Sequence, residues 1–240
     1  MDAFLLAGGT SGRILSITKG KPKPLIKIKK KTLLERNLKW IMSYGIHNIW
    51  INLHFKPNMI KEEIKKINPE SKINFSFEKK LLGTAGAIKK VEKKLSKNFL
   101  VIFCDNLLSF NLNNFIDFHL KKKSDISIAL YSPKRHYFSG IASSEVILSK
   151  NSKIKSFIEG KEKLKKINKL VNTGTYLLNK KILKKIPVNK FFDFSLNLFP
   201  QFINKKFYGY KIEKKGYCLA SDTPETYKKT VEIVKKEKLF

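Results

Sequence analysis

The stretch Phe4–Leu25, FLLAGGTSGRILSITKGKPKPL, decides how the rest of this chain is read. Phe4-Leu5-Leu6-Ala7 is a short apolar run that predicts a buried first strand. Gly8 and Gly9 stop it, and a polar loop carries Arg13, Lys21 and Lys23 before the chain turns apolar again. Glycines after a strand let backbone approach a ligand and present bare N–H groups to it. The Pro-Lys-Pro-Leu segment fixes a further cation beside them, a combination suited to a polyphosphate. An ordinary strand-to-helix loop with incidental lysines accounts for the same residues without a ligand.

Further along, apolar runs and amphipathic helices alternate. Thr32–Tyr44 places Leu34, Leu38 and Ile41 on one face, with Thr32 and Glu35 fitting a capping box and Gly45 as a stop. Strands are predicted at 48–53, 73–77, 99–104 and 126–131, separated by helices at 57–67, from the Gly83 loop to about residue 95, and at 112–123. That alternation predicts an α/β fold with a parallel sheet. Such sheets bind ligands at the carboxyl ends of their strands, where the Gly8 loop, the Gly83 loop and Asp105 all fall. Beyond Tyr131 a hairpin is expected at 141–148 and 154–158, a strand at 171–178, helices near 180–186 and 194–203, strands at 208–212 and 217–219, and a last helix from Pro224.

The length of 240 residues accommodates one sizeable domain, and 42% hydrophobic content supports a full core. No apolar run reaches the length of a membrane span, so no membrane insertion is expected. Two cysteines, Cys104 and Cys218, make no disulfide framework, and a reduced, cytoplasmic setting is the default. The net charge of +31 raises nucleic acid as a partner. All but three of the 50 basic residues are lysines, however, and they are spread along the whole chain. We therefore expect solvated faces and no specific nucleic acid, with anionic substrates attracted in a salt-sensitive way.

Asp105, directly after an apolar strand, is placed to hold Mg²⁺; a turn or helix-cap aspartate reads the same spacing equally well. The four histidines show no metal spacing, and no nucleophilic triad is suggested. What remains is chemistry that needs no protein nucleophile, such as phosphoryl or nucleotidyl transfer.

LLAGGTSGRI followed by KPKPL resembles the signature of the sugar-1-phosphate nucleotidyltransferases, the NDP-sugar pyrophosphorylases. The likeness continues through Glu78 with LLGTAGAI, Cys104-Asp105-Asn106, Gly140, Glu159, Asn172–Tyr176, Phe199-Pro200 and Thr223-Pro224-Glu225. The pattern is most similar to guanylyltransferases for mannose 1-phosphate or manno-heptose 1-phosphate, favouring guanylyl over thymidylyl, uridylyl or cytidylyl transfer. The resemblance implies a single-domain Rossmann-like nucleotide-binding fold of the glycosyltransferase-A type, with a mixed, mostly parallel sheet flanked by helices. Residues 1–131 would form its nucleotide-binding half and 132–240 its sugar-binding half.

It also implies a reaction: a sugar 1-phosphate oxygen attacks the α-phosphorus of an NTP and pyrophosphate leaves, yielding an NDP-sugar for surface polysaccharide or lipopolysaccharide. Leu6, Ala7, Gly8, Gly9, Gly83 and Thr84 would hold base and ribose, Arg13 the β- and γ-phosphates, and Lys23 the sugar phosphate or α-phosphate. Asp105 would bind Mg²⁺, and Gly140, Glu159, Asn172 and Gly174 would line the sugar pocket. Turns at Gly140 and Gly174 and a solvated carboxylate at Glu159 are the plainer readings. Homo-oligomerisation is left open.

The chain departs from the family pattern at four places. Ser11 stands where a glycine is usual, Cys104 replaces a glycine, and Gly160 replaces a lysine, with Lys161 adjacent. Most consequentially, Ala220 occupies the position of the second metal aspartate, and Asp222, two residues on, could substitute if the strand persists. The alternative function is thus a catalytically impaired homologue that binds nucleotide or NDP-sugar as a regulator.

Overall fold

The computed structural model describes residues 1–137, 139, 144–159 and 170–239. In chain order the first half comprises β1 (Asp2–Leu6), α1 (Leu15–Thr18), β2 (Lys27–Ile28), β3 (Lys31–Thr32), α2 (Leu33–Met42), β4 (Asn48–Leu53), α3 (Pro57–Ile67) and β5 (Lys72–Phe77). Then follow α4 (Gly83–Lys89), β6 (Asn98–Phe103), β7 (Asn106–Ser109), α5 (Leu112–Lys121) and β8 (Ile126–Tyr131). The second half adds β9 (Ser144–Leu148), β10 (Ile154–Glu159), β11 (Val171–Asn179), β12 (Phe207–Lys211), β13 (Tyr217–Ala220) and α6 (Pro224–Lys236).

Seven strands form one sheet in the order β12-β8-β11-β6-β1-β4-β5. β11 runs antiparallel to both its neighbours, while β1, β4, β5, β6, β8 and β12 share one direction. The sheet is therefore mixed and mostly parallel, as expected, and the second half completes it. β11 inserts between β6 and β8, so these two are not adjacent.

Alternation along the strands divides the core. Ala3 and Leu5 of β1 face one side with α2, α3 and α5, whereas Phe4 faces the other with α4 and the segments at 182–202. A third cluster joins Ile14, Ile26, Ile28 and Leu33 to Leu107, Leu219 and Val234. It ties the glycine loop and its Pro-Lys-Pro continuation to β7, β13 and α6. Fully burying such aliphatic side chains contributes roughly 1.5–3 kcal/mol each before entropy is counted, so the loop has a small core of its own.

Several expected elements take another form. The helix after Gly83 stops at Lys89 and gives way to a 3₁₀ turn at Glu92–Lys94, short of residue 95. The segment 180–186 is a 3₁₀ helix, Lys180–Lys185, because Pro187 forces Ile186 into extended backbone (ψ 124°). The segment 194–203 is a π turn, Phe194–Leu198, running into a 3₁₀ turn, since Pro200 has no N–H to continue an α-helix. The continuous strand expected at 99–104 ends at Phe103, and β7 follows two residues later, unanticipated, to pair antiparallel with β13. Thr32 caps α2 through the Glu35 N–H as expected, but the Glu35 carboxylate turns to Lys39, so only half the capping box is formed. Among the described residues no helix is long and apolar enough to cross a membrane.

Candidate active site

The carboxyl ends of β1 and β6, the Gly83 turn and the segment around residues 191–193 enclose a cleft of about 290 Å³. Its polar floor includes Asn52, Glu78, Thr84, Asp105 and Asp193, and its rim includes Leu81 and Phe191. A larger cavity of about 900 Å³ opens elsewhere, beside Leu130, Arg135 and Leu148, and is lined by none of the residues singled out from the sequence.

At the Asp105 end of the cleft four charges converge. Lys23 Nζ lies 2.6 Å from Asp222 Oδ1 and 3.4 Å from Asp105 Oδ2, and Arg13 Nη2 lies 3.7 Å from Asp222 Oδ1. The Lys23 side chain is only 12% exposed, whereas Arg13, paired with Asp222, is 73% exposed. Burial alone would lower the Lys23 pKa, but Asp105 and Asp222 outweigh it and hold the ammonium above its ordinary range. Burial and then the Asp222 charge push the Asp105 carboxyl upward, with Lys23 opposing both. Two carboxylates that repel each other around one cation form a pair of hard oxygen donors, the chemistry a divalent ion prefers.

The folding that makes this convergence possible is local. β13 stops at Ala220, so Asp222 does not sit on a continued strand. It reaches Lys23 from the turn before α6, where its N–H donates to Thr226 Oγ1 at 3.1 Å. The register that pairs Ala220 with Asn106 brings that turn beside Asp105. Ser11, standing in for a glycine, takes left-handed backbone (φ 62°), the conformation glycine adopts freely. Its hydroxyl also accepts the Lys23 N–H at 2.9 Å, anchoring the segment that carries the ammonium.

The glycine loop differs from its sequence reading. Asn52 Oδ1 accepts the Ala7 and Gly8 N–H groups at 2.7 and 3.2 Å, so these donors are not bare. Asn52 Nδ2 donates to Glu78 Oε1 at 2.8 Å, and Glu78 Oε2 accepts the Leu82 N–H at 2.9 Å. A Cβ on Gly8 would meet Asn52 Nδ2 at 2.7 Å, so Gly8 makes room for this internal lock; Gly9 faces open space. The Thr84 hydroxyl donates to Asp193 Oδ2 at 2.7 Å.

Of the residues assigned to a sugar pocket, Gly140 lies outside the described residues, as do Gly160 and Lys161. Glu159 ends β10 as an exposed residue whose carboxyl is partly desolvated; that desolvation and then Asp193 raise its pKa, while Ser195 opposes. Asn172 is engaged at both ends, accepting from Gly174 N–H at 2.9 Å and donating to the Tyr176 hydroxyl at 2.8 Å. Gly174 (φ 76°) sits where a Cβ would strike Phe103, a cleft residue, at 2.5 Å. Both therefore shape the bulge of β11 behind the cleft. Cys104 and Cys218 are buried thiols, and burial pushes their pKa values up, away from reactivity.

Asn52, Phe191 and Asp193 were not singled out from the sequence. An amide buried inside the apolar run IWINL flags Asn52, and an aspartate immediately before a helical turn flags Asp193 as a cap.

Comparison with known proteins agrees with this geometry. The D-glycero-alpha-D-manno-heptose 1-phosphate guanylyltransferase of Aneurinibacillus thermoaerophilus is 29% identical over 231 residues, covering 95% of this chain and 96% of the relative. The Campylobacter jejuni protein of the same name is 29% identical over 233 residues, covering 95% of this chain and 97% of its own length. The crystal structure of HddC from Yersinia pseudotuberculosis complexed with GMP-PN superposes with a TM-score of 0.78 at 29% identity, over 96% of this chain and 98% of that one. The family model described as nucleotidyl transferase matches residues 2–220, and the chain belongs to that family.

Proposed function

We propose that this protein joins a nucleoside triphosphate, GTP by preference, to a sugar 1-phosphate of the manno-heptose or mannose type, releasing pyrophosphate. The observation that carries this reading is the convergence of Arg13, Lys23, Asp105 and Asp222 at one end of a cleft whose other end is a glycine-bent nucleotide loop. The likeness to heptose-1-phosphate guanylyltransferases over nearly the whole chain supports the choice of base and sugar. Asp222 beside Lys23 supports its serving in place of the aspartate that Ala220 replaces, the departure on which the impaired-homologue reading rests.

In this reading residues 1–131 bind nucleotide and 132–240 bind sugar, with Asp193 and Asp222 crossing over to complete the nucleotide end. Leu6–Gly9, Gly83 and Thr84 line the base and ribose site, held in shape by Asn52 and Glu78. The buried Lys23 ammonium, kept protonated by its two acids, stabilises the charge that builds on the α-phosphoryl oxygens as the sugar phosphate attacks. Arg13, exposed at the mouth of this cluster, neutralises the β- and γ-phosphates of the leaving group. Glu159 accepts hydroxyl hydrogen bonds from the sugar, Gly140 and Gly174 line its pocket, and Asn172 fixes the β11 bulge beside it.

Asp105 and Asp222 are the residues that would hold a divalent cation, Mg²⁺ on the hardness of the donors; two carboxylates with phosphate oxygens and water are a normal Mg²⁺ set. Such an ion supplies charge neutralisation on the phosphates. The soluble chemistry suits a cytoplasmic enzyme making precursors for surface polysaccharide or lipopolysaccharide.

The test is release of pyrophosphate from each of the four common NTPs with a panel of sugar 1-phosphates. Turnover highest with GTP and a manno-configured 1-phosphate is expected. Binding of GTP without pyrophosphate release from any pair would return the regulator reading.

A further inference from the structure

At the rim of the cleft the Phe191 side chain is 62% exposed and Leu81 40% exposed. A phenylalanine held in water is unfavourable for folding alone, and the backbone around this one is fixed with unusual care. Phe192 O accepts the Ala85 and Gly86 N–H groups, both at 3.0 Å, and Phe192 N–H donates to Leu82 O at 2.8 Å. Phe194 N–H donates to Thr84 Oγ1 at 2.9 Å. A Cβ on Gly83 would lie 2.6 Å from Phe192 O, and one on Gly86 2.8 Å from Lys190 O. Two glycines thus let the segment bearing Phe191 press directly on the nucleotide loop.

The cleft divides its chemistry as a nucleobase does. Apolar side chains stand at its rim, and the amide of Asn52 and carboxylate of Glu78 lie on its floor. A base can lay an apolar face on that rim, above a floor whose Asn52 and Glu78 side chains are already bonded to one another and to the loop N–H groups. We propose that Phe191 is a specificity-determining residue that stacks on the base of the nucleotide and favours a purine, whose two rings cover more of it than one. This rests on the nucleotidyltransferase reading of the same cleft.

The experiment titrates wild type, Phe191→Ala and Phe191→Trp with GTP, UTP and inorganic tripolyphosphate by calorimetry. Because the side chain is exposed, the alanine variant is expected to fold, which its melting curve checks. Losing one aromatic–base stack should weaken GTP binding about tenfold and UTP binding by less, with tripolyphosphate unchanged. Phe191→Trp should restore GTP affinity, and in turnover Phe191→Ala should raise KM for GTP while leaving kcat near wild type. Equal GTP affinity in wild type and Phe191→Ala overturns the proposal, and so does a parallel loss for tripolyphosphate. A wild type that binds GTP through Phe191 yet releases no pyrophosphate overturns the functional reading and upholds the stacking. A wild type that binds no nucleotide overturns both.

Discussion

The two ends of the cleft are built on opposite principles. At the Gly83 end, shape is fixed by backbone: bonds from residues 82–86 to 192–194 and two glycines pressed against carbonyl oxygens. At the Asp105 end, shape is fixed by charge: Lys23 and Arg13 are held by Asp105 and Asp222, and little else defines where those side chains lie. The first end is ready for a ligand before one arrives. In the proposed reaction the second would have to exchange partners as phosphates enter, because each of its two cations already has a carboxylate. Substitutions should therefore cost activity at one end and stability at the other.

The largest effect expected is on activity. Asp105→Asn keeps the size of the side chain and removes one of the two hard donors, so kcat for pyrophosphate release should fall about 100- to 1000-fold. Its melting temperature should stay near wild type, since the carboxylate is in a repulsive pair whose loss relieves Asp222. A large drop in stability with activity retained would mean that this end, too, is structural.

The converse test is Gly83→Ala. The residue has left-handed backbone (φ 73°) and its added Cβ would lie 2.6 Å from Phe192 O. Backbone strain and a steric clash with an atom that cannot move together should cost about 3 kcal/mol in urea unfolding.

Acid sensitivity must be separated from both ends, and His119 sets it. This side chain, 2% exposed, meets Ser127 Oγ at 2.9 Å, and burial lowers its pKa to about 4. Between the ordinary value near 6.5 and about 4 the unfolded chain binds the proton and the folded chain does not. Stability should hence fall as pH drops through that window, by up to about 3 kcal/mol. His119→Gln should flatten that part of the curve, measured by urea midpoints from pH 7 to 4. A loss of activity that follows the wild-type midpoint is then unfolding; one that persists in His119→Gln belongs to the cleft.

How far the sequence could be read follows the same division. Strands with continuous apolar runs, such as β6 and β8, and capped helices such as α2 and α6 announce themselves, because their signals lie within a dozen residues. The glycine loop, Arg13 and Lys23 fall in one short stretch and Asp105 directly follows an apolar run, so each could be picked out locally; that Arg13, Lys23 and Asp105 meet around Asp222 is what the fold adds. The link between Asp105 and Asp222 was carried by the resemblance alone, because from the residues it depends on pairing β7 with β13 across more than a hundred residues, and four-residue strands carry no periodicity to read. The Gly8 N–H reads as a bare donor in sequence because sequence cannot show that Asn52 accepts it. Phe191 carried no local signal at all: its place at the cleft rim comes from the packing of its neighbour Phe192 against Gly83, which only the fold supplies.

The smallest effect tests where the two principles meet. Ser11 combines a left-handed backbone with a side-chain bond to the Lys23 N–H, so it contributes to the charged end by the means used at the other. Ser11→Ala keeps the unfavourable backbone and removes the bond, and should cost about 1 kcal/mol in urea unfolding. Ser11→Gly also removes the bond but relieves about 1 kcal/mol of left-handed strain, so its stability should match wild type. If charge alone positions Lys23, both variants should keep wild-type kcat. If the Ser11 bond helps, both should lose kcat to a similar, few-fold extent although only one is destabilised, and that dissociation of rate from stability is the outcome we expect.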